Sequence, residues 1–414
     1  MGHREAVLKA ATTLFHQKGF ARTTADEVAF EASITKRTLY RYFRNKEAIL
    51  LAIHEQFLER LLGPVDLQGS TEERFKALIR NYVETVLVYS EEIRVFFEER
   101  KHLSPPSVDK VVRLRDRHED VFRDTLKSGI SDSTLRQVNV PLATEGILGS
   151  VASLYQWHRH DGPLTTDQVA ETVSSLFLRG LGSTSAILAD VKYVPGTGRE
   201  PYLRPPAAAL SVEQAAAPTW EDNPVLTRIL DAASALFYEH GYDKTSTREL
   251  AEAAQLSKSA LYYYVPSKES VLFQLNLRLT VDGIESLQRI QRDNTDPVEA
   301  LHEVILWQSS SVARNLGALR ALSYEMRFLD EAHYGQIKVL RDEYTRLFCS
   351  VIRAAAGLPD DAGGYSDVIS MTILGMLNFM HHWYKPSGRL SPQEIGEVFF
   401  DLVWRGLLAE PRSS

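Results

Sequence analysis

Cysteine is nearly missing from this 414-residue sequence. Cys349 stands alone, which excludes an intrachain disulfide and a multi-cysteine zinc site and points to a reducing compartment. Long apolar runs are missing too: nowhere do ~20 uninterrupted apolar residues occur, so no membrane span is expected. The opening MGHREAVLKA moves directly into an amphipathic helix without the apolar core of a signal peptide, so a soluble, cytoplasmic chain is expected. Convincing runs of alternating strand residues are absent. So are G-x-S-x-G, a P-loop, H-E-x-x-H and a cysteine in a catalytic setting, and the chain is not expected to be an enzyme. His381-His382 and His158/His160 are the histidines that raise the question of metal. Adjacent helical histidines point different ways and no carboxylate or cysteine sits at ligand spacing, so neither a metal nor another cofactor is expected.

The residues that are present look ordinary in bulk. Hydrophobic content of 44% and charge of 24% belong to globular proteins, and the length suits two to four domains. A net charge of −7 speaks against a nucleic-acid partner only as a total. A duplex senses the field within about 8–10 Å. Lys36, Arg37, Arg41, Arg44 and Lys46 fall in one stretch with no acid until Glu47, while Glu91, Glu92, Glu98 and Glu99 collect elsewhere. A small basic head on an acidic body fits both observations.

The order of the residues is more telling, because the segment Leu8–Ile53 is written again, ungapped, at Leu230–Leu275. Phe15 aligns with Phe237 and Gly19 with Gly241, an offset of 222 residues. Near the ends of the halves, Trp157 aligns with Trp383 and Arg179-Gly180-Leu181 with Arg405-Gly406-Leu407, an offset of 226. Thr165 and Ser391 stand as matching helix caps. A whole domain has been duplicated, with four net residues inserted. Between the copies, Val194–Pro224 carries seven prolines and glycines up to Pro218 without helical periodicity and reads as an extended linker. Elsewhere helical spacing dominates, as in Phe75, Leu78, Ile79, Tyr82, Val83 and Val86, so the fold is expected to be all-α with eight to ten helices per half.

In the first copy, Leu8, Ala11, Leu14 and Phe15 line one helix face, and Gly19 is placed to end that helix in a left-handed cap. Thr23-Thr24 with Glu27 gives a capping-box pattern for a second helix. A turn at Ala32-Ser33-Ile34 leads to Thr35, which caps a third helix, Lys36–Phe43. That is the layout of a DNA-reading helix-turn-helix. Arg37 and Arg41 suit guanine and Thr38 a base or thymine methyl. Tyr40, Tyr42, Lys36, Lys46 and the cap residues Thr23, Thr24 and Thr35 suit phosphates and register. The counterparts in the second copy are Thr245, Ser246, Ser257, Lys258, Ser259, Ala260, Tyr262, Tyr263, Tyr264 and Lys268. Ser259, Ala260 and Tyr263 replace Arg37, Thr38 and Arg41, so its attraction for phosphate is expected to be weaker and its base preference different.

Both copies end in L-Y-x-Y-x-x-[NS]-K-E, standing here as Leu39–Glu47 and Leu261–Glu269. With these residues, each half resembles the TetR family of bacterial transcriptional regulators, whose usual size of ~200 residues also matches. Two departures stand out. Ser33 and Gln255 occupy a turn position where that family commonly has glycine, and Val265 replaces a phenylalanine.

The resemblance implies a boundary near 1–50 and 51–190 for the first reading head and effector half, a linker over 191–223, and 224–272 and 273–410 for the second pair. It also implies dimerising helix pairs near Leu142–His160 with Asp167–Leu188 and Tyr365–Tyr384 with Pro392–Leu408, which would pack as an intrachain pseudodimer. A further homodimer with four heads is the alternative. Candidate effector contacts are Trp307, Tyr324, Arg327, Phe328, Tyr344, Met380 and Trp383. Four of the five methionines fall in this half, and Trp383–Ile395 is similar to regulators that sense acyl-CoA thioesters, so an acyl-CoA or other lipid-like effector is expected. The implied function is a ligand-released repressor on double-stranded operator DNA with two unlike half-sites. The competing reading is a helical scaffold with one or both heads idle.

Overall fold

The computed structural model of the chain describes residues 2–63, 65–159, 161–183, 223–358 and 364–408. These divide into two compact units. The expected linker lies outside the described residues except for its last two, where Asn223 caps a helix that Pro224 opens.

Ten helices follow one another in the first unit: α1 His3–Lys18, α2 Ala25–Glu31, α3 Lys36–Tyr42, α4 Lys46–Leu61, α5 Thr71–Val88, α6 Ser90–Glu98, α7 Pro105–Ser131, α8 Val140–Ala152, α9 Leu154–Trp157 and α10 Thr166–Leu181. The second unit repeats them in order as α11 Pro224–His240, α12 Thr247–Ala253, α13 Lys258–Tyr264, α14 Lys268–Asp293, α15 Pro297–Arg314, α16 Leu316–Tyr324, α17 Glu331–Ala356, α18 Tyr365–Asn378, α19 Met380–Trp383 and α20 Pro392–Leu408. Among the described residues the only β pairing is an isolated bridge between Leu135 and Gly182. The fold is all-α and duplicated helix for helix.

The change of offset has one location. α4 has 16 residues and α14 has 26, while the connection to the next helix shrinks from residues 62–70 to residues 294–296. The second unit therefore lengthens a helix where the first uses a loop.

Local chemistry sets the boundaries. Thr24 and Ser246 form reciprocal capping boxes with Glu27 and Glu249, and Thr165 does so with Gln168. Gly19 and Gly241 end α1 and α11 at φ +84° and +81°, but with ψ near 155–160°, a region open to glycine rather than the left-handed cap expected from sequence. The expected helix through His160 breaks at Ser153, whose hydroxyl donates to the Ser150 carbonyl. The helix expected to reach Leu188 ends at Leu181, because Gly182 turns extended and bridges Leu135.

Within each unit the long helices pack in the same pairs: α5 on α10 and α4 on α7, and α15 on α20 and α14 on α17. Phe15, Phe57, Phe75, Phe122 and Phe177 are fully buried in the first unit, as are Phe348, Tyr365 and Phe399 in the second. Each such side chain contributes roughly 2–3 kcal/mol by burial. One polar pair repeats inside this core. His54 and Asn276, both 0% exposed and 222 residues apart, each hydrogen-bond the carbonyl four residues back, Leu50 at 2.9 Å and Leu272 at 2.8 Å.

Candidate nucleic-acid interface

α1–α3 and α11–α13 build two heads of the same design. Leu39, 0% exposed, and Phe43 anchor α3 on the core, as Leu261 and Val265 anchor α13. Val265 therefore does the work of Phe43 with less bulk. The turn before each recognition helix bends through Ser33 at φ +53° and Gln255 at φ +56°. That conformation costs a side-chain-bearing residue about 1 kcal/mol, which the packed head absorbs. Thr35 then caps α3 by accepting from the Thr38 N–H at 3.1 Å, and Ser257 caps α13 by accepting from the Ala260 N–H at 3.1 Å.

With Leu39 turned inward, the outer face of α3 presents Lys36, Arg37, Tyr40, Arg41 and Tyr42, with Thr38 half-buried beside them. The Lys36 ammonium pairs with Asp26 at 2.8 Å, which raises its pKa. Arg41 leans over the Tyr42 ring, 5.2 Å from its centroid, and donates to its hydroxyl at 3.2 Å. On α13 the corresponding face is Lys258, Ser259, Tyr262 and Tyr263, with Ala260 and Tyr264 half-buried. Tyr263 is 84% exposed. The Tyr262 hydroxyl donates to Thr247 Oγ1 at 3.3 Å. One face is cationic and the other phenolic.

Four of the residues expected at DNA make contacts inside the head. Thr23 and Thr245 are each 1% exposed and donate their hydroxyls to the Gly19 and Gly241 carbonyls at 2.8 and 2.9 Å. Thr24 and Ser246, their exposed neighbours, are the caps. Lys46 turns inward, donating to the carbonyls of Phe20 at 2.6 Å and Thr23 at 2.7 Å with its ammonium 4.2 Å from the Phe20 ring centroid. Lys268 does the same with Tyr242 and Thr245, at 2.9 and 3.0 Å. Burial lowers the pKa of both lysines. Thr23, Thr245, Lys46 and Lys268 thus hold the head together.

The neighbouring glutamates tie each head to its effector half. Glu47 accepts from Ser104 and Ser107 at the start of α7, and Glu269 meets Asp330 and His333 at the start of α17. A ring stack reinforces each joint: Phe20 on His102 at 5.0 Å, Tyr242 on Phe328 at 4.9 Å.

The family profile for the N-terminal region, "Bacterial regulatory proteins, tetR family", matches residues 7–53 and 229–275. That for the "Tetracyclin repressor-like, C-terminal domain" matches 68–181 and 294–407. The chain belongs to the TetR family. It holds two complete TetR units in tandem. Similar curated proteins include the HTH-type transcriptional repressor KstR2 of Mycolicibacterium smegmatis, 26% identical over 184 residues, 43% of this chain and 90% of that protein. KstR2 of Rhodococcus jostii is 27% identical over 188 residues, 44% of this chain and 92% of that protein. Among solved structures, the ketosteroid transcriptional regulator KstR2 of Mycobacterium tuberculosis covers 44% of this chain and 96% of its own at 24% identity and a TM-score of 0.41. Each relative thus spans about one of the two units.

The TetR effector half of the second unit distributes the seven expected contact residues over several places. Trp307 and Tyr344 meet at Gly283, where an added Cβ would lie 3.0 Å from the Tyr344 ring and 3.8 Å from Trp307. The Tyr344 hydroxyl donates to Gln308 at 2.5 Å, and Gln308 donates to Asn378 at 2.6 Å. Phe328 faces the head, with the Arg327 guanidinium 5.4 Å from its ring centroid. Met380 is fully buried, and Trp383 packs edge-on to Phe399. Tyr324 carries a contact that sequence reasoning missed: its hydroxyl lies 2.9 Å from His381 Nε2 and 2.5 Å from His382 Nε2. The two adjacent histidines converge because they sit on the single turn α19, beyond the break at Phe379.

The first unit has a different interior at the matching positions. Tyr82 and His118 stand where the second unit has Gln308 and Tyr344, and Glu145 stands in place of Met371. Burial raises the Glu145 carboxyl to about 7, with Glu119 adding to the shift. Arg115 and Arg123 both pair with Glu119.

Proposed function

We propose that this TetR-family protein is a one-component repressor that reads an operator with two unlike half-sites and releases it on binding a small apolar or acyl-CoA-like effector. The carrying observation is the contrast between two heads of one design, one presenting Arg37, Thr38 and Arg41 and the other Ser259, Ala260 and Tyr263. Guanidinium groups favour guanine edges, whereas a phenol and an alanine methyl favour thymine methyls and tolerate several bases. Thr24, Thr35, Lys36, Tyr40 and Tyr42, with Ser246, Ser257, Lys258, Tyr262 and Tyr264, are assigned to the phosphates beside those bases. A single chain that pairs its two units as an intrachain pseudodimer would supply both halves of the usual two-fold reader.

Selection of bound sequences from a randomised DNA pool by the full chain tests this reading. One asymmetric two-part site is expected, its halves spaced by about one helical turn or a multiple. A perfect palindrome would mean that one head dominates, and no enrichment would leave the helical scaffold as the reading.

The effector class rests on the methionines of the second unit and on the Trp383–Ile395 segment. An acyl-CoA thioester, or a lipid-like acid of similar bulk, is proposed to engage the second effector half near Trp307, Tyr344 and Tyr324. Such a ligand acts only through unequal affinity for the two states. Titration of an acyl-CoA series is expected to give a saturable change in tryptophan fluorescence and release of labelled operator. A flat response across the series would remove acyl-CoA from consideration.

A further inference from the structure

The joint between head and effector half is built from different chemistry in the two units. In the first, Glu47 Oε1 accepts from the Ser104 N–H at 2.9 Å and from the hydroxyls of Ser104 at 2.6 Å and Ser107 at 2.8 Å. Three neutral donors satisfy one carboxylate. In the second unit the same positions hold Glu269, Asp330 and His333. His333 Nδ1 lies 2.9 Å from Glu269 Oε1 and 3.2 Å from Asp330 Oδ2, and the Asp330 N–H reaches Glu269 Oε1 at 3.3 Å. The other Asp330 oxygen caps α17, accepting from the His333 N–H at 2.8 Å.

This exchange leaves the joint electron-rich. Two carboxylates share one imidazole N–H where hydroxyls stood, so the three side chains carry net negative charge whether the imidazole is neutral or protonated. One ligand atom from each residue lies within 4.8 Å of the others. Phe273 stacks on the imidazole, ring centroids 3.9 Å apart, and fixes the plane of its lone pair. Asp330 is exposed while Glu269 and His333 are half-buried, which provides both an entry path and partial exclusion of water.

We propose that Glu269, Asp330 and His333 bind a transition-metal dication of the zinc or manganese class. An imidazole with two carboxylates suits those ions, whereas calcium and magnesium prefer all-oxygen shells. The ion takes the Nδ1 lone pair of the neutral imidazole, whose one proton then sits on Nε2, and water completes the coordination. The ion joins α14 to α17, so the second head is held by a metal where the first is held by serines. The sequence hides this site because its residues lie 61 and 64 positions apart.

The test uses the untagged full chain, stripped with EDTA and titrated with Co²⁺ by absorbance and Zn²⁺ by calorimetry. One equivalent lost in the double variant Asp330→Ser/His333→Ser is expected. That variant restores the serines of the first unit and is expected to keep its circular dichroism. Loss of an outer partner alone typically weakens metal binding 10- to 100-fold, so loss of two ligands should exceed ~100-fold. Glu269→Gln provides an independent reading and is expected to weaken binding likewise. Equal affinity in wild type and both variants, or no uptake of either ion at millimolar concentration, would overturn the proposal. DNA takes no part in the assay, so its outcome is separate from that of the repressor reading.

Discussion

Alanine at both Arg37 and Arg41 is expected to weaken binding of the selected operator about 30- to 1000-fold. Each well-placed guanidinium contributes about 1–3 kcal/mol of base discrimination. The lower part of that range applies, since Arg41 leans on Tyr42 and must leave that ring to reach a base. Two such losses amount to about 2–4 kcal/mol, which sets the fold-change. Base preference should relax at the positions these residues read, and only in the half-site bound by the first head. Ser259→Ala with Tyr263→Ala in the second head should cost less, because neither residue carries charge. Fluorescence anisotropy at several salt concentrations separates the contributions. Removing a side chain that meets a phosphate would reduce the salt slope by about one per residue, whereas removing one that reads a base would leave the slope nearly unchanged. A loss below threefold for the arginine pair would refute the assignment of α3 as the dominant reader.

The recognition helices were legible in the sequence because their signals are local. A cap such as Thr35 acts on an N–H three residues away, and the spacing of Leu39 from Phe43 marks the buried face within one turn. The duplication strengthened every such signal by repeating it 222 residues later. Capping at Thr165 and Ser391 was readable for the same reason.

Other features depend on residues that only the fold brings together. Lys46 looks like a phosphate ligand in the sequence, yet its partners are backbone carbonyls 26 and 23 residues upstream. Carbonyls leave no trace in a sequence. Thr23 and Thr24 are adjacent and chemically identical: Glu27, three residues on, marks Thr24 as the cap, whereas the burial of Thr23 follows from packing. Phe328 reads as a pocket aromatic at helical spacing, and its stacking on Tyr242 follows from a docking that no local pattern encodes. The pairing of His381 and His382 on Tyr324 depends on a helix break, which the apolar run Ile373–Leu377 does not announce.

The duplication also gives each unit a built-in control, and His54 shows how to use it. Burial of His54 lowers its pKa to about 4, although its bond to the Leu50 carbonyl and the nearby Glu99 charge oppose the shift. An unfolded histidine takes up its proton near pH 6.5. Between those values the unfolded state binds more protons than the folded one, so stability falls as pH drops from about 6.5 to about 4 and then levels. Lowering the pKa from 6.5 to about 4 corresponds to roughly 3.4 kcal/mol in full, most of it expressed by pH 4. Asn276 fills the equivalent place in the second unit, equally buried, and makes the same backbone bond without a titrating group. His54→Asn is therefore expected to fold and to lose about 2–3 kcal/mol less than the wild type between pH 7 and pH 4. His118, also lowered to about 4 by burial, remains in both proteins, so the difference isolates one residue. Urea unfolding at pH 7.0, 5.5 and 4.5, followed by circular dichroism, measures it. Parallel loss of stability in the two proteins would show that the buried imidazole does not govern the acid limit of the first unit.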